Sequence, residues 1–116
     1  MLFIEYPACS TCQKARKWLD AHALVYTDRH IKEQPPTVDE LRAWRQRSGL
    51  PLKRFFNTSG RMYQSLGLKE KLPTMDETEQ LRLLASDGML VKRPILVTDE
   101  AVLVGFRQAE WEEALL

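Results

Sequence analysis

Leu2-Phe-Ile-Glu-Tyr-Pro-Ala-Cys-Ser-Thr-Cys-Gln-Lys-Ala-Arg-Lys-Trp-Leu19 is the stretch whose reading decides the fold. Its apolar start predicts a buried strand from Leu2 to Tyr6, ended by Pro7. Ala15, Trp18 and Leu19 then fall at the spacing of one helical face, which predicts a helix from about Ser10 to His22. Ser10 with Gln13 has the spacing of a capping box, a second sign of a helix start. The chain's two cysteines, Cys9 and Cys12, therefore stand where a strand becomes a helix. Unpaired N–H groups and the positive dipole end favour a thiolate at such a place, and Lys14 and Arg16 add positive charge. With Cys9 in the first turn, Cys12 lies about one turn on, close enough to bond it. The expectation is a redox dithiol with Cys9 as nucleophile and Cys12 as resolving thiol.

Working outward, Leu24 to Ile31 carries Val25, Tyr26, Thr27 and Ile31 and predicts a second strand running out near His30. Two strands joined by a helix make a parallel, right-handed βαβ unit. Gln34-Pro-Pro-Thr37 breaks that pattern and opens a helical block. Thr37 with Glu40 forms a capping box ahead of the stripe Val38, Leu41 and Trp44, and Ser48-Gly49 ends that helix. Short helical pieces follow around Leu52, Phe55 and Phe56, then around Met62, Tyr63 and Leu66 up to Gly67. Asp76 with Glu79 caps a further helix, with Leu81, Leu84 and Ala85 inward and Asp87-Gly88 as its stop. After Met89 the pattern returns to strands: Ile95 to Thr98, the Asp99-Glu100 turn, and Ala101 to Phe106, an antiparallel hairpin. Asp-Glu is an indifferent pair for a turn that favours positive φ. Gln108 to Leu116 predicts a closing helix with Trp111, Ala114 and Leu115 inward. The expected fold is thus α/β and thioredoxin-like, βαβ followed by ββα on a mixed four-stranded sheet. It forms one domain, 1–116, with an all-helical insertion over about 34–90.

With 44% hydrophobic and 28% charged residues in 116, the composition is that of a globular domain with a modest core. A net charge of +1 gives no field that would point to direct nucleic-acid binding, and the basic run from Arg42 to Arg47 reads as a solvated helix face. No signal peptide or membrane-length apolar run is visible, so the expected address is the cytoplasm. There a close cysteine pair serves catalysis or metal binding rather than stapling. Structural zinc takes about four ligands, usually with 3–5 residues between paired histidines. His22 and His30 are eight positions apart, so no metal site is expected. His22 reads as a helix C-terminal residue, His30 as a strand-end surface residue, and Trp18, Trp44 and Trp111 as core. Asp20, Asp28 and the other carboxylates show no pairing that points to acid–base work. Arg93-Pro94 stands directly before a buried strand, and spacing alone favours a trans bond there.

Five landmarks carry a family resemblance: Pro7-Ala-Cys-Ser-Thr-Cys12, Gln34-Pro-Pro-Thr-Val-Asp-Glu-Leu41, Leu52-Lys-Arg-Phe-Phe-Asn-Thr-Ser-Gly60, Lys92-Arg-Pro-Ile-Leu-Val97 and Val104-Gly-Phe-Arg107. Across nearly its whole length the chain resembles the ArsC-like branch of the thioredoxin superfamily. That branch includes glutaredoxin-linked arsenate reductases, Spx-type regulators and thiol-reductase-like proteins. The resemblance implies that Cys9 is the nucleophile, that Pro94 is cis, and that Arg93 and Arg107 flank the thiol as anion-binding residues. Two guanidiniums there would lower the Cys9 pKa and hold an oxyanion or a glutathione carboxylate. Arsenate reductases of the branch carry a third arginine in the segment matching Phe55 to Thr58, where this chain has Asn57. They also commonly lack the second cysteine that is Cys12 here. The implied function is therefore a thiol–disulfide oxidoreductase with no bound cofactor, reduced by glutathione, glutaredoxin or thioredoxin. The alternatives are a glutaredoxin-dependent arsenate reductase and an Spx-like regulator that binds the RNA polymerase α subunit.

Overall fold

A computed structural model, describing residues 1–116, draws both ends of the chain into one mixed sheet. Its strands are β1 (Leu2–Glu5), β2 (Thr27–His30), β3 (Ile95–Val97) and β4 (Val102–Val104), in the order β2-β1-β3-β4. β1 runs parallel to β2, with Phe3 opposite Asp28, and antiparallel to β3, with Phe3 opposite Leu96. β3 and β4 are antiparallel. Six α-helices complete the α/β architecture: α1 (Ser10–Ala21), α2 (Val38–Ser48), α3 (Arg61–Ser65), α4 (Leu68–Lys71), α5 (Glu77–Ser86) and α6 (Gln108–Leu115). The chain divides into two units, Met1–His30 with Arg93–Leu116, and Ile31–Lys92. The second begins and ends within a few residues of the expected insertion.

In the first unit α1 and α6 bury one face of the sheet. Phe3 and Leu96, cross-strand partners, meet Ala15, Trp18 and Leu19 from α1 and Trp111 from α6. Trp111 is fully buried, stands at right angles to Phe106 at 4.8 Å, and donates its indole N–H to the Gly105 carbonyl at 3.1 Å. That pairing removes the one polar penalty of burying the ring, leaving about 1.5–3 kcal/mol of favourable burial for such a side chain.

Two strand ends differ from expectation by more than one residue, each for a local reason. β2 starts at Thr27 rather than Leu24, because its partner β1 starts at Leu2, opposite Thr27. Leu24 and Tyr26 pack into the core cluster instead. β4 stops at Val104 because Gly105 adopts φ 77° and turns its N–H onto the Pro94 carbonyl at 2.8 Å. The Asp99-Glu100 turn is held by Thr98, whose Oγ1 accepts the N–H groups of Glu100 at 3.2 Å and Ala101 at 2.8 Å. A hydroxyl thus does what positive-φ residues do in other hairpins. On α6, Trp111 and Leu115 pack inward as expected, whereas Ala114 is exposed.

The second unit is built from capped helices. Thr37 and Glu40 form the full reciprocal box on α2, and Gly49 closes it at φ 68°. Asp76 caps α5 through the Glu79 N–H at 2.8 Å. Leu41, Phe55, Leu81 and Leu84 are fully buried. The insertion is not entirely helical: Phe56 and Val91 form an isolated β-bridge, flanked by Asn57 N–H to Leu90 O at 2.8 Å and Lys92 N–H to Phe55 O at 2.7 Å. Gly88 does more than stop a helix. A Cβ there would lie 2.0 Å from the Ile31 carbonyl oxygen, so the backbones approach as only glycine permits. No helix is long and apolar enough to cross a membrane.

Candidate functional site

β1 hands the chain to Tyr6, and a turn closed by Cys9 N–H to Tyr6 O at 3.0 Å leads into α1. Cys9 is the N-cap of that helix. Its backbone is extended (φ −80°, ψ 123°), and its Sγ accepts the Cys12 N–H at 3.4 Å. The expected Ser10/Gln13 box does not form, because Ser10 is already the first helical residue. Gln13 Nε2 instead donates to the Pro7 carbonyl at 2.8 Å. A sulfur therefore occupies the place where helices usually put a hydroxyl or carboxylate, and the helix terminus acts on it directly.

The two thiols sit in opposite environments. Cys9 is half-buried, while Cys12 is fully buried, and both are free. Burial works against ionising Cys9, but the Cys12 N–H, the Cys12 thiol and the Arg93 guanidinium outweigh it and hold Cys9 below the ordinary thiol range. Burial, the dominant cause, pushes Cys12 up to about 12; a hydrogen bond from the Tyr6 backbone opposes it, and the bond and charge of Cys9 add to it. The pair is thus polarised, with Cys9 made the more acidic thiol and Cys12 the less acidic one. Arg93 reaches the site through a cis bond to Pro94, where spacing alone predicts trans. Its Nε and Nη1 are buried without a hydrogen-bond acceptor. Buried guanidinium N–H groups left unpaired are costly, and a bound anion would satisfy them.

Arg107 is placed differently. It is 72% exposed at the start of α6 and pairs with Glu110 at 3.6 Å. Arg16, expected to lend charge to the thiols, is committed to carboxylates: its Nη2 lies 2.6 Å from Glu5 Oε1 and 3.0 Å from Asp28 Oδ2. The expectation that the carboxylates lack pairing is corrected here. Glu5 is only 2% exposed, and burial, followed by a hydrogen bond and repulsion from Asp28, raises its pKa against the pull of Arg16 and His30. Glu5 and Asp28 are far apart in sequence, and only the β1–β2 register brings them side by side. The signal within the sequence was a lone charge, Glu5, at the end of a buried strand. His22 caps the C-terminus of α1, with Nδ1 2.8 Å from Trp18 O and its ring tilted against Trp18 at 4.4 Å. In the second unit, Asn57 Oδ1 accepts the Ser59 hydroxyl at 3.4 Å. No group of three or more His, Cys, Asp or Glu is arranged to hold a metal ion.

Residues 4–114 match the family model described as the ArsC family. The chain belongs to the ArsC family. The Bacteroides fragilis structure of an ArsC family related protein is 60% identical, with a TM-score of 0.94 over 97% of this chain and 94% of that one. The Streptococcus mutans UA159 structure of a possible arsenate reductase is 47% identical, with a TM-score of 0.90 over 98% of this chain and 97% of that one. YusI, an uncharacterised protein of Bacillus subtilis, is 55% identical over 97% of this chain and 96% of its own. The global transcriptional regulator Spx of Enterococcus faecalis is 30% identical over 90% of this chain and 77% of its own. The fold of this ArsC family chain is the thioredoxin-like one these structures share. Chemically, its first unit offers a half-buried free thiol at a helix start, a buried second thiol one helical turn on, and a cationic group beside the first.

Proposed function

We propose that this ArsC family chain is a thiol–disulfide oxidoreductase. The observation that carries the reading is the asymmetry of the pair: Cys9, half-exposed, caps a helix beside Arg93, while Cys12 is buried as a neutral thiol. The Cys9 thiolate attacks one sulfur of a disulfide or glutathionylated substrate. A Cys9–S bond forms, the substrate S–S bond breaks, and the other sulfur leaves as a thiolate that takes up a proton. While Cys9 is anionic it holds Cys12 protonated; once Cys9 is in a mixed disulfide, that charge is gone and Cys12 ionises more easily. Cys12 then loses its proton and attacks Cys9 Sγ, releasing the second substrate thiolate and closing Cys9–Cys12. Two electrons from glutathione, a glutaredoxin or a thioredoxin restore the dithiol. Chemistry of this kind belongs in a reducing compartment such as the cytoplasm. Arg93, with unpaired buried N–H groups, holds a carboxylate or oxyanion of the substrate.

Trapping tests the reading. A Cys12→Ser variant should accumulate substrates as mixed disulfides on Cys9, and recovery of none would overturn the resolving role. Two other readings have their own observations. Kinship to a possible arsenate reductase favours arsenate reduction, decided by turnover with arsenate, glutathione and glutaredoxin. Kinship to a transcriptional regulator favours redox-dependent binding to the RNA polymerase α subunit, decided by pull-down with reduced and oxidised protein.

A further inference from the structure

Arg93 poses a mechanical problem. Two of its guanidinium nitrogens, Nε and Nη1, are buried without an acceptor, so hydrogen bonds from them do not fix its plane. Its side chain has several rotatable bonds, and a freely turning guanidinium would spend little time directed at one sulfur. What lies against it is an aromatic face. The Arg93 guanidinium carbon stands 5.3 Å from the centroid of the Tyr6 ring, within cation–π range. Tyr6 is itself held on several sides. Its carbonyl accepts the Cys9 N–H at 3.0 Å, and the His30 ring packs at right angles to it at 5.6 Å. The residue directly after β1 thus touches the nucleophile through its backbone and the nucleophile's arginine through its ring.

We propose that Tyr6 is a positioning residue that holds the Arg93 guanidinium against the Cys9 sulfur through its ring face, in place of hydrogen bonds that Nε and Nη1 do not make. The inference rests on the thiolate reading of Cys9 and adds the group that keeps it activated. The groups acting on Cys9 are Cys12 and Arg93, and those meeting the Tyr6 ring are Arg93 and His30. The role lies in the ring face, since the phenol oxygen takes no part. Tyr6→Phe should therefore preserve it, whereas an aliphatic side chain of similar bulk should not.

The test is the pH profile of Cys9 alkylation by iodoacetamide, followed site by site by mass spectrometry on the full chain. Tyr6→Leu should move the midpoint upward and slow alkylation at pH 7 by about 3–10-fold, the span a partly desolvated cation–π contact supports. Tyr6→Phe should restore the original profile to within about twofold. In an Arg93→Leu background, Tyr6→Leu should add little, because the guanidinium it held is gone. If Tyr6→Leu fails to fold by circular dichroism, Tyr6→Met takes its place. An unmoved midpoint in the aliphatic variants overturns the inference, as does a shift of full size without Arg93. Those failures differ from failure of the underlying reading, in which the unaltered protein itself titrates at the free-thiol value of about 8.5.

Discussion

The two units of the chain obey local rules to very different degrees. In Ile31–Lys92 the longer helices α2 and α5 are capped by residues that favour caps, the Thr37 box, Gly49 in the left-handed region and Asp76, and Asp87 stands ahead of its short turn. In the other unit the N-cap of α1 is a cysteine, Glu5 is a buried carboxyl, and all three buried side-chain nitrogens without partners are found: Trp18 Nε1, Arg93 Nε and Arg93 Nη1. Departures from local consistency cost stability, and folds tolerate them where chemistry needs them. The contrast separates a locally consistent helical unit from one that carries the departures.

Substitutions can break or sharpen this contrast. The largest effect should come from Cys9→Ser. Mixed-disulfide formation with glutathione disulfide should fall by about 10³-fold or more, since a hydroxyl at the cap keeps the helix start but removes the nucleophile. The thermal midpoint should hardly change, and a large loss of stability would mean the sulfur is structural. In the second unit the strongest effect should be on folding. Gly88→Ala places a methyl 2.0 Å from the Ile31 carbonyl oxygen and should cost about 3 kcal/mol, read by urea denaturation. Arg93→Leu should raise the Cys9 midpoint and slow its alkylation at pH 7, because a cation that favours the charged form is removed.

Smaller effects test the edges of the comparison. Thr37→Ala removes the cap of α2 and should cost about 1 kcal/mol in the same denaturation assay. The subtlest concerns Glu5, whose carboxyl is held above its ordinary value of 4.5 chiefly by burial. The folded state then keeps a proton that the unfolded state releases. The stability linked to Glu5 is full below about pH 4.5 and is lost as pH rises through the raised value. Thermal melts across that window should show the decline in the unaltered protein and a flatter profile in Glu5→Gln. Parallel profiles would mean that Glu5 titrates normally.

Much of this was legible before any coordinates. The alternation of patterns between Leu2 and Leu19 located the β1–α1 junction, and Thr37/Glu40 and Asp76/Glu79 located the starts of α2 and α5 to the residue. These signals are legible because they act over one helical turn or one strand. The Asp99-Glu100 turn was placed correctly, yet its cause was not visible, because Thr98 acts through a side-chain oxygen rather than a backbone preference. The Glu5–Arg16–Asp28 cluster was missed entirely. Its members belong to β1, α1 and β2, and no local spacing joins them.

By itself, then, the sequence determined where most helices and strands begin, that two thiols stand at a helix start, and that a helical block interrupts a βαβ–ββα order. Those properties follow from periodicity and capping, which depend on near neighbours. Only the tertiary structure decided which of the two expected arginines acts on the Cys9 sulfur and that Cys12 is the sealed member of the pair, and it bears out the cis Pro94 that the family resemblance implies and spacing does not. Burial and charge act through space, and the antiparallel pairing of β3 with β1 brings residues from the far end of the chain to the first helix. Cys9 stands out from its neighbours in sequence, but the lowering of its pKa comes from where the fold sets Arg93 and Cys12.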